Sequence, residues 1–99
     1  MTTPTRVTII PVDNFCSIEG TGYIDIDMVG VPADVHAIQW YGNHGEVEIK
    51  DTLTGKLVRN EFITDLSAYQ SVLASYWATR TAAEESQAAA VADDQTVEV

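Results

Sequence analysis

The chain has 99 residues, of which 45% are hydrophobic, and it carries fifteen acidic against five basic side chains, for a formal net charge of −10. A chain of this length supports one domain with a single modest core, and its hydrophobic content argues against disorder throughout. The acidic balance argues against direct nucleic-acid binding, which needs clustered cations, and against docking on an anionic membrane.

Three further features bear on where the protein works. No apolar run approaches the roughly 20 residues that span a bilayer. The single cysteine, Cys16, excludes an internal disulfide, and the first residues lack the pattern of a secretory signal. We therefore expect a protein that is made in the cytoplasm, needs no cofactor and has other proteins as partners.

The first third of the chain predicts short strands and turns. Residues 6–12 and 15–18 are short and rich in β-branched side chains, which predicts a hairpin. Pro11 has no N–H to donate, so we expect this hairpin at the outside of the sheet. Residues 19–22 predict a plain turn, because no phosphate-loop pattern follows the two glycines. The alternation in residues 23–28 predicts a half-buried strand or extended segment.

The segment 35–50 is the strongest structural signal, because two alternating apolar runs flank a turn at residues 42–45. With a four-residue loop, Trp40 faces Val47 and Ile38 faces Ile49, so these four side chains share one face. Residues 57–63 predict the return strand of a second hairpin. There Ile49 faces Val58 and Glu48 faces Arg59, which makes residues 35–63 a three-stranded meander.

The last third predicts an amphipathic helix. Thr64 or Asp65 supplies an N-cap. The apolar positions that follow recur at three- and four-residue steps, and they are Leu66, Tyr69, Leu73, Tyr76 and Trp77, with Val72 beside them. The helix would cover the Ile38 and Trp40 face of the sheet. After residue 80 the chain is rich in alanine, which favours helix without adding core, and residues 92–99 are small and acidic.

These elements predict an α+β fold, in which a small antiparallel sheet of about five strands packs against one C-terminal amphipathic helix. Residues 1–80 form the single domain, and residues 81–99 form an alanine-rich helical extension with an acidic, flexible tail. The predicted core consists of Ile38, Trp40, Val47, Ile49, Val58, Leu66, Tyr69 and Leu73.

Acidic pairs offer the first candidate chemistry. Asp25 and Asp27 share a face on an extended strand, which suits a divalent cation, but a solvated strand face produces the same pattern by alternation alone. Glu46 and Glu48 repeat this spacing, and we expect Lys50 and Arg59 to pair with them. A structural role is therefore favoured for both pairs.

Histidine and cysteine offer little more. His36 on a strand and His44 in a loop are too far apart for joint zinc ligation. Cys16 sits within a strand pattern and is more typical of a small core residue than of a nucleophile. The sequence predicts neither a catalytic site nor a metal site, so we do not expect an enzyme.

Exposed aromatic residues are the candidate partner-binding sites. Tyr41 points away from Trp40 on a strand and is expected to be exposed among acidic neighbours. Tyr76 and Trp77 are adjacent on the helix, and a domain of this size can hardly bury both, so one of them is a candidate interface anchor.

Three strings carry a resemblance to a known group of proteins: VHAIQWY at residues 35–41, GEVE at 45–48 and ITDL at 63–66, followed by Tyr69 and Gln70. Residues 20–23, together with Asp27 and Met28, fit the same pattern. Over about residues 15–77 the chain resembles short proteins of tailed bacteriophages, often encoded beside tail or tail-fibre genes. The resemblance implies a virion component or assembly factor of the tail region, without catalytic residues.

The expected function is that of a non-enzymatic, tail-associated structural or accessory protein, located in the virion. It would bind another tail or tail-fibre protein through a sheet edge, Tyr41, or the Tyr76 and Trp77 end of the helix, and self-association stays open. One alternative is an acidic mimic of DNA that inhibits a host defence protein and presents Asp25, Asp27, Glu46 and Glu48. Another is a tail-fibre assembly chaperone that is absent from the virion.

Overall fold

The computed structural model describes the backbone of residues 5–97 and the side chains of residues 5–87. It confirms the α+β class, with six strands and one long C-terminal helix. The strands are β1 (Val7–Ile10), β2 (Phe15–Ile18), β3 (Thr21–Tyr23), β4 (Val35–Trp40), β5 (Gly45–Lys50) and β6 (Leu57–Ile63). Short 3₁₀ turns at Pro11–Asp13 and Ser67–Tyr69 precede β2 and the helix α1 (Gln70–Val97).

All strand pairs are antiparallel, and the strand order is β3-β2-β1-β4-β5-β6. The predicted hairpin of β1 and β2 is confirmed, with Ile10 opposite Phe15. The prediction that it lies at the outside of the sheet is wrong for β1, which lies between β2 and β4. Pro11 follows β1 and begins the first 3₁₀ turn, so the ladder does not need its missing N–H.

The central hairpin has the predicted faces but a different register. Trp40 pairs with Gly45 and Ile38 pairs with Val47, two residues away from the predicted partners. A shift by two residues keeps every side chain on its face. The predicted core residues of β4 and β5 are therefore all buried: Ile38, Trp40, Val47 and Ile49.

Gly45 explains this register. A Cβ at Gly45 would lie 2.5 Å from the Gln39 carbonyl oxygen and 2.9 Å from Trp40 Cε3. Only glycine lets the return strand start directly beneath the Trp40 ring. The loop before it is closed by a hydrogen bond of 2.8 Å from the Tyr41 N–H to the His44 carbonyl.

The second hairpin departs from the prediction at Val58. Lys50 pairs with Leu57 as the predicted loop requires, but Ile49 then pairs with Arg59, so Val58 is an extra, bulged residue. The expected Glu48–Arg59 pair is not made, because Glu48 lies opposite Asn60. The placement of Val58 in the core is wrong, since its side chain is 56% exposed.

The predicted strand at residues 23–28 is also wrong beyond Tyr23, where β3 ends. Asp25 takes a left-handed conformation with φ of 63°, which breaks the extended geometry. Ile26 is fully buried and exchanges hydrogen bonds with Asn14, whereas Ile24 is 65% exposed. The plain turn predicted nearby is confirmed at Glu19 and Gly20, both with positive φ.

The approach to α1 and its first half close the core. Asp65 Oδ1 accepts hydrogen bonds from the Ser67 N–H and hydroxyl, and these bonds hold the pKa of Asp65 below its usual range. The buried side chains of this region follow the predicted stripe: Leu66, Tyr69, Val72, Leu73 and Tyr76. They form one hydrophobic cluster with the sheet, and α1 itself packs on β2 and β3.

Residue 80 marks a change in burial rather than the end of the helix. Beyond it, Ala83 is half-buried and the other side chains described up to Gln87 are exposed. The helix continues to Val97, along the segment where the alanine-rich helical extension was predicted. Glu98 and Val99 lie outside the described residues.

Tyr76 joins the helix to β3, the strand at one edge of the sheet. Its side chain is fully buried, and its hydroxyl donates a hydrogen bond of 2.6 Å to the Thr21 carbonyl in β3. Its ring meets Tyr23 edge-on, with the ring centroids 5.7 Å apart. Of the two adjacent aromatic residues of which one was expected to be an interface anchor, Tyr76 is therefore the buried one, and Trp77 is left as the exposed candidate.

Gly45→Ala should lower the free energy of unfolding by about 1 to 3 kcal/mol, because the added methyl group overlaps the Gln39 carbonyl and the Trp40 ring. Urea unfolding followed by tryptophan fluorescence measures this. Thr52→Ala in the exposed turn is the control and should change stability by less than about 0.5 kcal/mol. Equal stability of the two variants would contradict the explanation of the register.

Tyr76→Phe should cost about 0.5 to 1.5 kcal/mol, because it removes the hydrogen bond to the Thr21 carbonyl. Tyr41→Phe is the matched control, since it removes the same hydroxyl from a side chain that is 40% exposed. Thermal unfolding should show a lower melting temperature for Tyr76→Phe only. A similar shift in both variants would argue against the role of this hydrogen bond.

Candidate protein-binding surface

A group of aromatic side chains lies on the face of the sheet that α1 does not cover. We call Arg6, Tyr41, His44 and Phe62 the outer aromatic group. The His44 ring lies between its neighbours, 5.3 Å from the Tyr41 ring and stacked on Phe62 at 5.7 Å, measured between centroids. The Arg6 guanidinium lies 5.2 Å from the centre of the Tyr41 ring, within the range of a cation–π contact.

Strand alternation and the hairpin loop bring this group together. Tyr41 follows the inward-facing Trp40 and therefore points outward. Phe62 pairs with Glu46, and Glu46 pairs with the outward-facing Gln39. Because paired residues share a face of the sheet, Phe62 also points outward. Gly42, with φ of 103°, allows the loop to turn His44 back between the two rings.

The outer aromatic group is exposed to solvent and bordered by charge. Tyr41 is 40% exposed and Phe62 is 67% exposed. Glu46 and Glu48 are half-buried on the same face, beside Phe62 and Asn60 across the ladder. Exposed aromatic rings with an arginine and a polar surround are the composition typical of protein interfaces.

Strand β6 forms the adjacent edge of the sheet. It is the last strand in the sheet order, and only Ile63 among its seven residues is partly buried. The Arg59 guanidinium pairs with the Glu61 carboxylate at 2.9 Å, and both side chains are more than half exposed. Such an exposed ion pair contributes little to stability.

Trp77 is exposed on α1, on the covered side of the sheet and away from the outer aromatic group. Its side chain is 43% exposed, and the Arg80 guanidinium lies 5.2 Å from its ring centre. Arg80 also donates hydrogen bonds to Glu84 and to the Tyr76 hydroxyl, which raise the pKa of Arg80. Of the three predicted binding residues, Tyr41 and Trp77 are therefore exposed, but on opposite sides of the molecule.

The candidate metal ligands are not brought together. Among the side chains of residues 5–87, no group of three or more His, Cys, Asp or Glu is arranged to hold a metal ion. His36 lies at the bulge in β4, whereas His44 belongs to the outer aromatic group, with Nδ1 at 2.7 Å from Asn43 Oδ1.

The two acidic pairs also lie apart. Three strands, β2, β1 and β4, separate β5, with Glu46 and Glu48, from β3, which the segment with Asp25 and Asp27 follows. Asp27 is used locally, since its Oδ1 accepts the Val29 N–H and its own N–H donates to Ser75 Oγ. The sheet therefore does not combine the four carboxylates into one acidic surface.

Cys16 is a core residue in β2, with no exposed surface. Burial raises the pKa of its thiol from the ordinary value of 9.0 to about 12. A thiol that stays protonated at neutral pH is a poor nucleophile.

No family model, curated protein or solved structure matches this chain. Within residues 5–97, no helix has both the length and the apolar composition needed to cross a membrane.

The Cys16 environment predicts a loss of stability at alkaline pH. The unfolded thiol ionises near pH 9.0 and the folded thiol near 12, so between these values the folded state binds more protons than the unfolded state. The stability advantage of the wild type over Cys16→Ala should shrink there, by at most about 1.4 kcal/mol per pH unit. Urea unfolding of both proteins at neutral and alkaline pH measures the difference, and a constant difference would contradict this pKa.

Proposed function

We propose that this protein is a non-enzymatic protein-binding module that acts as an accessory or structural component of a bacteriophage tail. The observation that carries the binding role is the exposed outer aromatic group, in which Tyr41, His44 and Phe62 form a continuous aromatic surface. The assignment to a phage tail rests on the sequence resemblance of residues 15–77.

The chemistry of the outer aromatic group favours a protein partner. Tyrosine and phenylalanine rings bury a large apolar area when a partner covers them, and the Arg6 guanidinium supplies a donor at the rim. Exposed aromatic side chains that touch one another on an uncovered sheet face are typical of an interaction site. The partner would be another tail or tail-fibre protein with an apolar patch.

This surface also predicts how binding depends on salt. Contacts made mainly by aromatic rings lose little affinity as ionic strength rises, because screening acts on charges. A DNA-mimic inhibitor would instead bind its basic partner through carboxylates, and its affinity would fall steeply with salt. The salt dependence of the complex therefore separates the two functions.

The location is tested by quantitative mass spectrometry of purified virions of the phage that encodes this chain. We expect the chain at a fixed small-integer ratio to known tail proteins. Its absence from virions, with abundant protein in infected cells, would overturn the structural role. A complex with a fibre protein in those cells would then indicate an assembly chaperone, and a complex with a host protein a defence inhibitor.

The binding surface is tested by Tyr41→Ser, which should weaken binding to the tail partner at least about tenfold, as expected for an aromatic contact near the centre of an interface. Leu53→Ser is the control, because Leu53 is 94% exposed in the turn at the other end of the β5–β6 hairpin. Titration calorimetry with the partner found by cross-linking in virions measures both. Equal affinities would exclude the outer aromatic group as the binding site.

A further inference from the structure

Strand β6 carries a charge order that is complementary to itself. From Leu57 to Ile63 it reads LVRNEFI, so a cation and an anion flank Asn60 and two apolar residues lie outside each charge. When two such strands run antiparallel about Asn60, Arg59 lies opposite Glu61 of the second copy, and the two-fold axis repeats the pair. We infer that two copies of this chain associate through β6 in this register, which joins their sheets into one.

The charges select this register over its neighbours. Residues opposite each other in an antiparallel pair share a face, so the next registers that keep the faces are centred on Arg59 or on Glu61. The first places Arg59 opposite Arg59 of the second copy, and the second places Glu61 opposite Glu61. Like charges directly across a strand pair are destabilising, whereas opposite charges are stabilising. Only the arrangement centred on Asn60 has two favourable pairs.

The side chains needed for this pairing are accessible. Arg59 and Glu61 are 58% and 51% exposed, and no strand lies beyond β6 within the described part of the chain. Because the ion pair within each copy is exposed, exchanging these two pairs for two pairs across the interface costs little. The same register places Val58 near Phe62 of the second copy. In the single chain these two apolar side chains are 56% and 67% exposed.

The same strand has features that protect edges from association. The bulge at Val58 limits the regular part of the ladder to Arg59–Ile63, and charges on an edge strand can repel another edge. Repulsion requires charges of one sign, however, or an order that sets like charges opposite each other. In the register centred on Asn60, the order of charges in β6 sets opposite charges across from each other. Pairing with a second copy is therefore favoured over an unpaired edge.

The association is tested by sedimentation equilibrium of the full chain from micromolar to millimolar concentration. The wild type should form a dimer that dissociates on dilution, because so short a ladder makes a small interface. Arg59→Glu sets acidic side chains opposite Glu61, and Glu61→Arg sets basic side chains opposite Arg59. Each substitution should weaken the dimer at least about tenfold. Thermal unfolding of each variant checks that the fold is intact.

Two combinations restore the pairing and serve as matched controls. The double variant Arg59→Glu/Glu61→Arg again places opposite charges across the axis and should dimerise like the wild type. An equimolar mixture of the two single variants should form a heterodimer, since every cross-strand pair is then of opposite charge. The heterodimer of the single variants is the decisive result, because neither single variant can form the Arg59–Glu61 ion pair within its own chain, whereas the double variant restores that pair as well.

Hydrogen exchange locates the interface. Amides within residues 57–63 should become more protected as the concentration of the wild type rises, and those of Arg59→Glu should not. A wild type that stays monomeric at millimolar concentration would overturn the inference, as would single variants that dimerise as tightly as the wild type. A monomer whose β6 is protected only in a complex with another protein would overturn it as well, because the edge would then take a strand of that protein.

Discussion

The fold depends on burying one face of the sheet beneath the segment from Leu66 to Tyr76. A sheet with one apolar face is stable only if another element covers that face. Here the cover is narrow, because α1 itself packs on β2 and β3, while Leu66 and Tyr69 just before it join the same core. Tyr76 ties this cover to the edge strand β3 through a hydrogen bond to the Thr21 carbonyl.

The narrow cover accounts for the exposure of the other edge. Strand β6 lies three strands beyond β1 in the sheet order, and two of its inward-facing positions, Arg59 and Glu61, carry charged side chains. Burial raises the pKa of the Tyr69 phenol, and the negative charges of Glu61 and Asp34 raise it further. In β6 only Ile63 packs against the core, and the other side chains of this strand are exposed.

The uncovered face has a different role. Its half-buried polar residues, such as Thr8 and Gln39 joined by a hydrogen bond of 3.0 Å, need no cover. On the same face, nothing in the described part of the chain buries Tyr41 and Phe62 of the outer aromatic group. A paired β6 would extend this face across two molecules, so self-association and partner binding would use neighbouring parts of the surface that have Phe62 in common.

The sequence by itself determined the elements whose side chains obey a local period. Alternation assigned Ile38, Trp40, Val47 and Ile49 to one face, and the three- and four-residue spacing assigned Leu66, Tyr69 and Leu73 to the core. The assignment of the strand residues survives an error of two residues in register, because such a shift keeps every side chain on its face.

Only the tertiary structure decided the features that depend on distant contacts. The bulge that exposes Val58, the interior position of β1 and the burial of Ile26 against Asn14 arise from pairing between segments, which a local pattern does not contain. The same reason explains the candidate site. Alternation identified Tyr41 as exposed, but its contact with His44, and the contact of His44 with Phe62, required the loop and the third strand of the meander to be placed in space.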